Sequence, residues 1–304
     1  MQDPQPDFHP VPGRPETLAP GLRRIVAPNP SPMTLRGTNT YLLGTRGVAV
    51  IDPGPDDSSH LDAIRAALHP GARVTHIVVT HAHRDHSALA PALAAVTGAP
   101  VLAFGDARAG RSPVMEALAR GGAIGGGEGV DAGFAPDERM EDGAVLEGAD
   151  WQLEAIHTPG HFGNHLALAW GDTLFTGDLV MGWSTSLVSP PDGDLTAFMA
   201  SLDRLRARPW RVMHPGHGAP VADPAARLDA LLAHRRSREA EIRAALDEGP
   251  ATASALASRI YADIPAALHP AAARNVLAHL IDLTARGLAR PVGELAENAV
   301  FSGL

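Results

Sequence analysis

A sheet-based α/β core followed by a small helical module with a β wing is the fold class this sequence predicts, and three observations predict it. Short β-type runs alternate with helical patterns from about Leu18 to Pro220, the signature of a mixed sheet covered by helices. After about Ala222 the composition turns Ala/Leu/Arg-rich and helical in period. At 304 residues and 45% hydrophobic, the chain is long enough for a large core plus a smaller one. The division is expected between residues 1–225 and 226–304.

Residues 40–43 and 48–51 flank the turn Gly44-Thr45-Arg46-Gly47 and read as a hairpin. Residues 58–68 carry apolar side chains at helical spacing and stop at Pro70-Gly71. A strand over 74–79 and a helix over 88–96 follow, then strands at 101–103, 151–156, 166–169 and 173–175. A helix over 196–206 and a short strand at 212–213 close this region. The Gly-rich stretch 105–143 has little periodicity and is expected as a surface excursion with one short helix near 114–120. In the remainder, a long helix over 227–247 stops at Gly249-Pro250, Thr252 caps a helix through Ile260, and a third helix runs over 270–286. With a strand at 288–292, this pattern matches a helix-turn-helix module with a wing.

Composition narrows the function classes. No run of about 18 uncharged apolar residues occurs, so no transmembrane helix and no membrane partner are expected. The polar, Pro-rich segment from Met1 to Asp7 lacks the basic and apolar regions of a secretory signal. The chain has no cysteine, which excludes disulfides and thiolate ligands and fits a cytoplasmic protein. The net charge of -9 argues against indiscriminate nucleic-acid binding. All 25 basic residues are Arg, so an anionic substrate group must be met by Arg, backbone N–H groups or metal.

The chemistry is concentrated in Thr80-His81-Ala82-His83-Arg84-Asp85-His86, directly after the apolar run Ile77-Val78-Val79. Alternate residues of an extended segment share a face, so His81 and His83 can bind one metal ion together. Asp85 and His86, where the chain turns into a helix, can reach a second. Three later segments each place a His or Asp at a strand end beside small residues. They are His157-Thr158-Pro159-Gly160-His161, Thr176-Gly177-Asp178 and His214-Pro215-Gly216-His217-Gly218. His157 and His214 read as neighbours that support ligands, and Asp52 as a supporting or turn residue. Isolated histidines (His9, His60, His69, His234, His269 and His279) are given no role.

At these motifs the chain resembles the metallo-β-lactamase superfamily of αββα hydrolases, across nearly the whole first region and in family order. The resemblance implies an αββα metallo-β-lactamase sandwich. Carried over from the glyoxalase II and RNase Z types, it implies that His81, His83 and His161 hold one ion. Asp85, His86 and His217 then hold a second, and Asp178 bridges the pair. The implied cofactors are two divalent metal ions. Zinc suits an imidazole-rich set, although Mn²⁺ or Fe can occupy the same ligands. Several β-lactamases of this superfamily use a Cys ligand, and this chain has none. Asp85 and His165 are the candidate catalytic residues. His165 reads either as a general acid or as a buried histidine at the start of the strand over 166–169.

The segment from Asn29 to Tyr41 and the C-terminal run through Ile242, Tyr261-Ala262-Asp263-Ile264-Pro265 and Asn275 to Leu280 resemble one branch of that superfamily. Its members carry a C-terminal winged helix, and they include a mitochondrial endoribonuclease. The loop over 29–39 and Met181-Gly182-Trp183 are expected to border the pocket. Met33, Leu35 and Trp183 would form apolar walls, with Arg36 and Arg84 to meet an anion; core packing and solvated arginines are the alternative. The implied activity is a binuclear metal-dependent hydrolase whose metal-bound hydroxide attacks a carbonyl or phosphoryl centre. Its substrate is open between a small acyl compound (thioester, lactone or β-lactam) and single-stranded RNA. A metal- or ligand-regulated DNA-binding protein acting through the winged helix is the competing class. Residues 227–290 hold nine Arg against seven acidic residues, a weak excess for a nucleic-acid face. Dimerisation, including a homodimer, or pocket shaping is the default reading of that module.

Overall fold

Strands that bury both faces need cover on both sides, and that requirement stacks the first three quarters of the chain into four layers. The computed structural model describes residues 3–122 and 124–304. Met1 and Gln2 of the polar N-terminal segment, and Ala123 of the Gly-rich stretch, lie outside the described residues.

The first sheet contains β1 (Glu16–Ala19), β2 (Leu22–Val26), β3 (Asn39–Leu43) and β4 (Gly47–Ile51), paired antiparallel in that order. Helix α1 (Ser58–Ala66) crosses to β5 (Arg73–Val78), which lies parallel to β4. Helices α2 (Arg84–Ser87) and α3 (Ala90–Thr97) lead to β6 (Val101–Ala103), and α4 (Pro113–Gly121) precedes the edge strand β7 (Glu138–Arg139). The second sheet is β8 (Val145–Glu147), β9 (Gln152–His157), β10 (Leu166–Trp170) and β11 (Thr173–Gly177), again antiparallel. After α5 (Leu195–Arg206), β12 (Val212–Pro215) joins β11 in parallel. Then come α6 (Pro224–Asp247), β13 (Ala251–Thr252), α7 (Ala253–Ile260), a 3-10 turn (Ala266–Leu268), α8 (His269–Ala285), β14 (Ala289–Pro291) and β15 (Val300–Gly303). The last three strands pair in the order β13-β15-β14.

Period-two alternation explains the layering. Leu42, Val48 and Val50 face outward under Ile64 of α1 and Leu93 of α3. Their neighbours Tyr41, Leu43 and Ile51 face inward and meet Leu166, Leu168 and Phe175 of the other sheet. On the far side Ala167, Ala169 and Leu174 carry Phe198 and Leu202 of α5 and Leu228, Leu231 and Leu232 of α6. The result is an αββα sandwich. The expected hairpin forms in the register Tyr41↔Ile51 and Leu43↔Ala49. Asp57, Asp194, Asp223 and Thr252 each cap a helix by accepting a backbone N–H of its first turn.

One expectation needs correction. The Gly-rich stretch is not only a surface excursion. Met115 and Ile124 enter the C-terminal core, Phe134 packs on the first sheet and Met140 lies between the sheets. Nine residues of α8 are buried, and Ala278 packs into the α5/α6 layer of the sandwich. No helix among the described residues is long and apolar enough to cross a membrane.

Candidate metal centre

The apolar strand β5 ends at Val78, and the chain runs on to His83, the residue before α2. His81 and His83 therefore present their rings to the same space, and the first turn of α2 adds Asp85 and His86. The connection from β9 to β10 brings His161, the end of β11 brings Asp178, and the end of β12 brings His217. All seven residues gather into overlapping groups: His81, His83 and His161; His81, His86 and Asp178; and Asp85, His86 and His217.

The geometry leaves the ring nitrogens facing one another. His83 Nδ1 lies 2.9 Å from His81 Nε2 and 3.0 Å from His161 Nε2. His86 Nε2 and His217 Nε2 are 3.3 Å apart. Hydrogen bonds on the far side of each ring decide which nitrogen carries the proton. Thr80 Oγ1 donates to Asp52, so at 3.0 Å it accepts from His81 Nδ1. His86 Nδ1 donates to Asp52 Oδ2 at 2.8 Å, His161 Nδ1 to the Leu187 carbonyl at 2.7 Å and His217 Nδ1 to the Gly37 carbonyl at 3.3 Å. Four Nε2 atoms thus converge, those of His81 and His161 as lone pairs, and a single proton on His83 Nδ1 cannot serve two acceptors. Asp178 Oδ1 is buried without a hydrogen-bond partner. Its two oxygens lie 3.5 Å from His86, 3.2 Å from His217 and 3.8 Å from His161, between the two halves. Buried acceptors facing each other are costly unless a cation sits among them. The donor set fits metal ions.

The electrostatics divide the same way. Burial and neighbouring imidazoles push His81 well below its usual range, and burial pushes His83 down to about 3. Burial lowers His161 as well. Burial would also lower His86 and His217, but the carboxylates outweigh it: Asp85, Asp178 and Asp52 hold His86 well above its usual value. Asp178 and Asp85 raise His217 to about 9. Without a metal, the carboxylate-rich half holds its positive charge as imidazolium.

His165 does not face the pocket. It is fully buried; its Nε2 accepts the Asp178 backbone N–H at 3.2 Å, so its Nδ1 donates to Thr158 Oγ1 at 2.9 Å. Both nitrogens are engaged, which corrects the general-acid expectation: this histidine holds Asp178. Asp85 keeps a partly open carboxylate (27% exposed) that accepts from Thr38 Oγ1 at 3.3 Å. His157 bonds the Gly163 carbonyl and stacks on Phe104, and His214 packs between Tyr41 and Phe175. Asp52 accepts from Thr80 N, Thr80 Oγ1 and His86 Nδ1.

Three supporting residues went unread in the sequence. Thr80 relays His81 to Asp52. Asn39 Nδ2 donates to the Pro215 and Gly218 carbonyls and fixes the loop carrying His217. Asn164 accepts from Ala82 N beside the cluster. Only Thr80 had a signal, its place next to His81. At the rim, Met33 is half exposed and Trp183 lies against Gly218. Arg36 is tied to Asp3 and the Phe8 carbonyl, and the exposed Arg84 donates Nε to the Val130 carbonyl.

Known proteins resemble this chain over both of its regions. A family model described as the metallo-beta-lactamase superfamily matches residues 33–217, and one described as the beta-lactamase associated winged helix domain matches residues 252–297. A Drosophila melanogaster protein named beta-lactamase-like protein 2 homolog is 32% identical over 286 residues, 90% of this chain and 91% of its own length. The atrochrysone carboxyl ACP thioesterase AgnL7 of Paecilomyces divaricatus is 32% identical over 236 residues, 76% of this chain and 66% of the relative. Among solved structures, a beta-lactamase domain protein from Burkholderia ambifaria superimposes with a TM-score of 0.81 at 23% identity. That likeness, to the fold, covers 99% of this chain and 96% of that one.

Proposed function

The chain belongs to the metallo-β-lactamase superfamily, with the associated winged helix domain behind the catalytic fold, and from that premise we propose that it is a metal-dependent acyl hydrolase acting on thioester-type substrates. His81, His83 and His161 would hold one ion, Asp85, His86 and His217 a second, with Asp178 shared; zinc suits the set. When bound, such a pair supplies Lewis-acid polarisation and a nucleophilic water ionised near neutral pH. The residues do the rest. Asp52 and Thr80 hold the proton on Nδ1 of His86 and His81, so that both rings present Nε2. His165 keeps Asp178 in place. Asp85, the most open of these carboxylates, would be placed to take a proton from the attacking water. Met33 and Trp183 offer apolar wall to an acyl chain.

The convergence of ring nitrogens around Asp178, whose Oδ1 is buried without a partner, carries the hydrolase reading. The acyl choice is supported by the thioesterase-named relative and by Arg36, which Asp3 already neutralises and which is therefore not free for a phosphodiester. The RNA reading drew on the winged helix, whose α8 is occupied against the sandwich. The test is a side-by-side assay of the zinc-loaded protein on acyl thioesters, lactones, β-lactams and single-stranded RNA. Thioester turnover is expected, with about a hundred- to thousandfold loss in His83→Ala and Asp178→Ala, the range seen when groups that stabilise transition-state charge are removed. RNA cleavage without thioester turnover would reverse the substrate assignment.

A further inference from the structure

Residues 181–192 run from the Asp178 turn to α5 without forming a helix or strand, so their backbone polar groups need partners from elsewhere. The C-terminal module supplies them. Arg227 Nε donates to the Met181 carbonyl at 2.7 Å, and Arg235 donates to the Ser186 carbonyl. Arg274 donates to the Pro190 carbonyl and, at 2.8 Å, to Ser189 Oγ. Asn275 Oδ1 accepts from Val188 N and from Arg235, each at 3.0 Å. The same stretch touches two residues of the metal centre. Its Leu187 carbonyl accepts from His161 Nδ1 at 2.7 Å, and Ser186 Oγ donates to the Asp178 carbonyl at 2.5 Å.

We propose that the C-terminal module positions the metal centre: Asn275 and Arg235, with Arg274, hold residues 186–190 in the conformation whose Leu187 carbonyl orients the His161 imidazole. The proposal rests on the metal-site reading above and adds the positioning residues on which it depends. Arg235 is 2% exposed, and its recorded hydrogen bonds go to a carbonyl and an amide oxygen. Burying a cation in this way is costly, and leucine or methionine would serve plain docking of α6 on α8 at least as well. What the guanidinium adds is geometry, since it fixes the Ser186 carbonyl and the Asn275 oxygen together. Hydrogen-bond partners of ligating histidines, backbone carbonyls among them, typically change metal affinity about 10–100-fold when lost.

The experiment uses the full-length, metal-stripped protein titrated with Co²⁺ and followed by its d–d absorption. Asn275→Leu, which removes the acceptor, is expected to bind Co²⁺ at least about tenfold more weakly with an altered d–d band. Asn275→Asp, which keeps the acceptor, should titrate close to wild type. Identical titrations for Asn275→Leu and wild type would overturn the proposal, as would equal losses in the two variants. A wild-type protein that binds no Co²⁺ would remove the metal-site reading itself, a separately visible result. A second measurement needs no variant and stands if Asn275→Leu does not fold. In metal-free wild type the Val188 amide should exchange hydrogen as slowly as the core of α8. Fast exchange that slows only when Co²⁺ is added would mean that the metal orders this segment, and would refute the clamp.

Discussion

Asp52 sits at φ +51, in the left-handed region that non-glycine residues enter at a cost, and its carboxylate is the hub behind two of the converging imidazoles. The chain was easiest to read at this scale where chemistry is local. His81, His83, Asp85 and His86 fall within six residues, and strand and helix geometry sends them to one place. Thr80 and Asn39 were harder, because their roles depend on partners distant in sequence; Asn39 reaches the Pro215 carbonyl, 176 residues away. The protons at this centre give a prediction. Metal must displace the proton of His217, whose pKa is raised to about 9, and that of His86, held higher than usual. Apparent metal affinity should therefore weaken as pH falls below about 9, by roughly tenfold per unit for each displaced proton. Chelator-competition titrations between pH 6 and 9 would check this, and a flat profile would contradict the assignment of those two rings as ligands.

Elements with an alternating, two-sided apolar pattern were legible: β3, β4, β6 and β10 lie where their pattern put them, and α5 and α6 carry the expected spacing. The strands that escaped have physical reasons. In β2, Arg23 and Arg24 interrupt the apolar run, yet both are buried. Arg24 pairs with Glu16 over the Phe8 ring, and Arg23 donates to the Ala67 carbonyl. β7 and β13 are two residues long and exist only through their neighbours. The end of β12 shows how tightly an element is fitted to the site. A Cβ on Gly216 would run into Asp178 Oδ1 and the His86 ring. Gly216→Ala is expected to cost about 1–3 kcal/mol of stability through overpacking and to weaken metal uptake together with activity. A variant with wild-type urea unfolding and metal content would show that Asp178 does not lie against this glycine.

At the scale of the whole molecule, α6 joins two cores: Leu228, Leu231 and Leu232 pack on the sandwich, while Ile242 and Leu246 pack in the C-terminal unit. With α8 pressed on residues 186–190 and Thr196 bonded to Asp282, the module faces its own catalytic domain. The full-length protein is therefore expected not to shift duplex DNA in a mobility assay at physiological salt; a sequence-dependent shift would show that another face of the module reads DNA. The sequence by itself determined the α/β class and the winged C-terminal unit through local periodicity, and the seven residues that converge through strand-end motifs and their resemblance to a known family. Only the tertiary structure decided which nitrogen of each imidazole faces the centre, that His165 bonds the Asp178 backbone, and that the C-terminal unit packs against residues 186–190. Those outcomes depend on hydrogen bonds and burial between residues far apart in sequence, which no local spacing encodes.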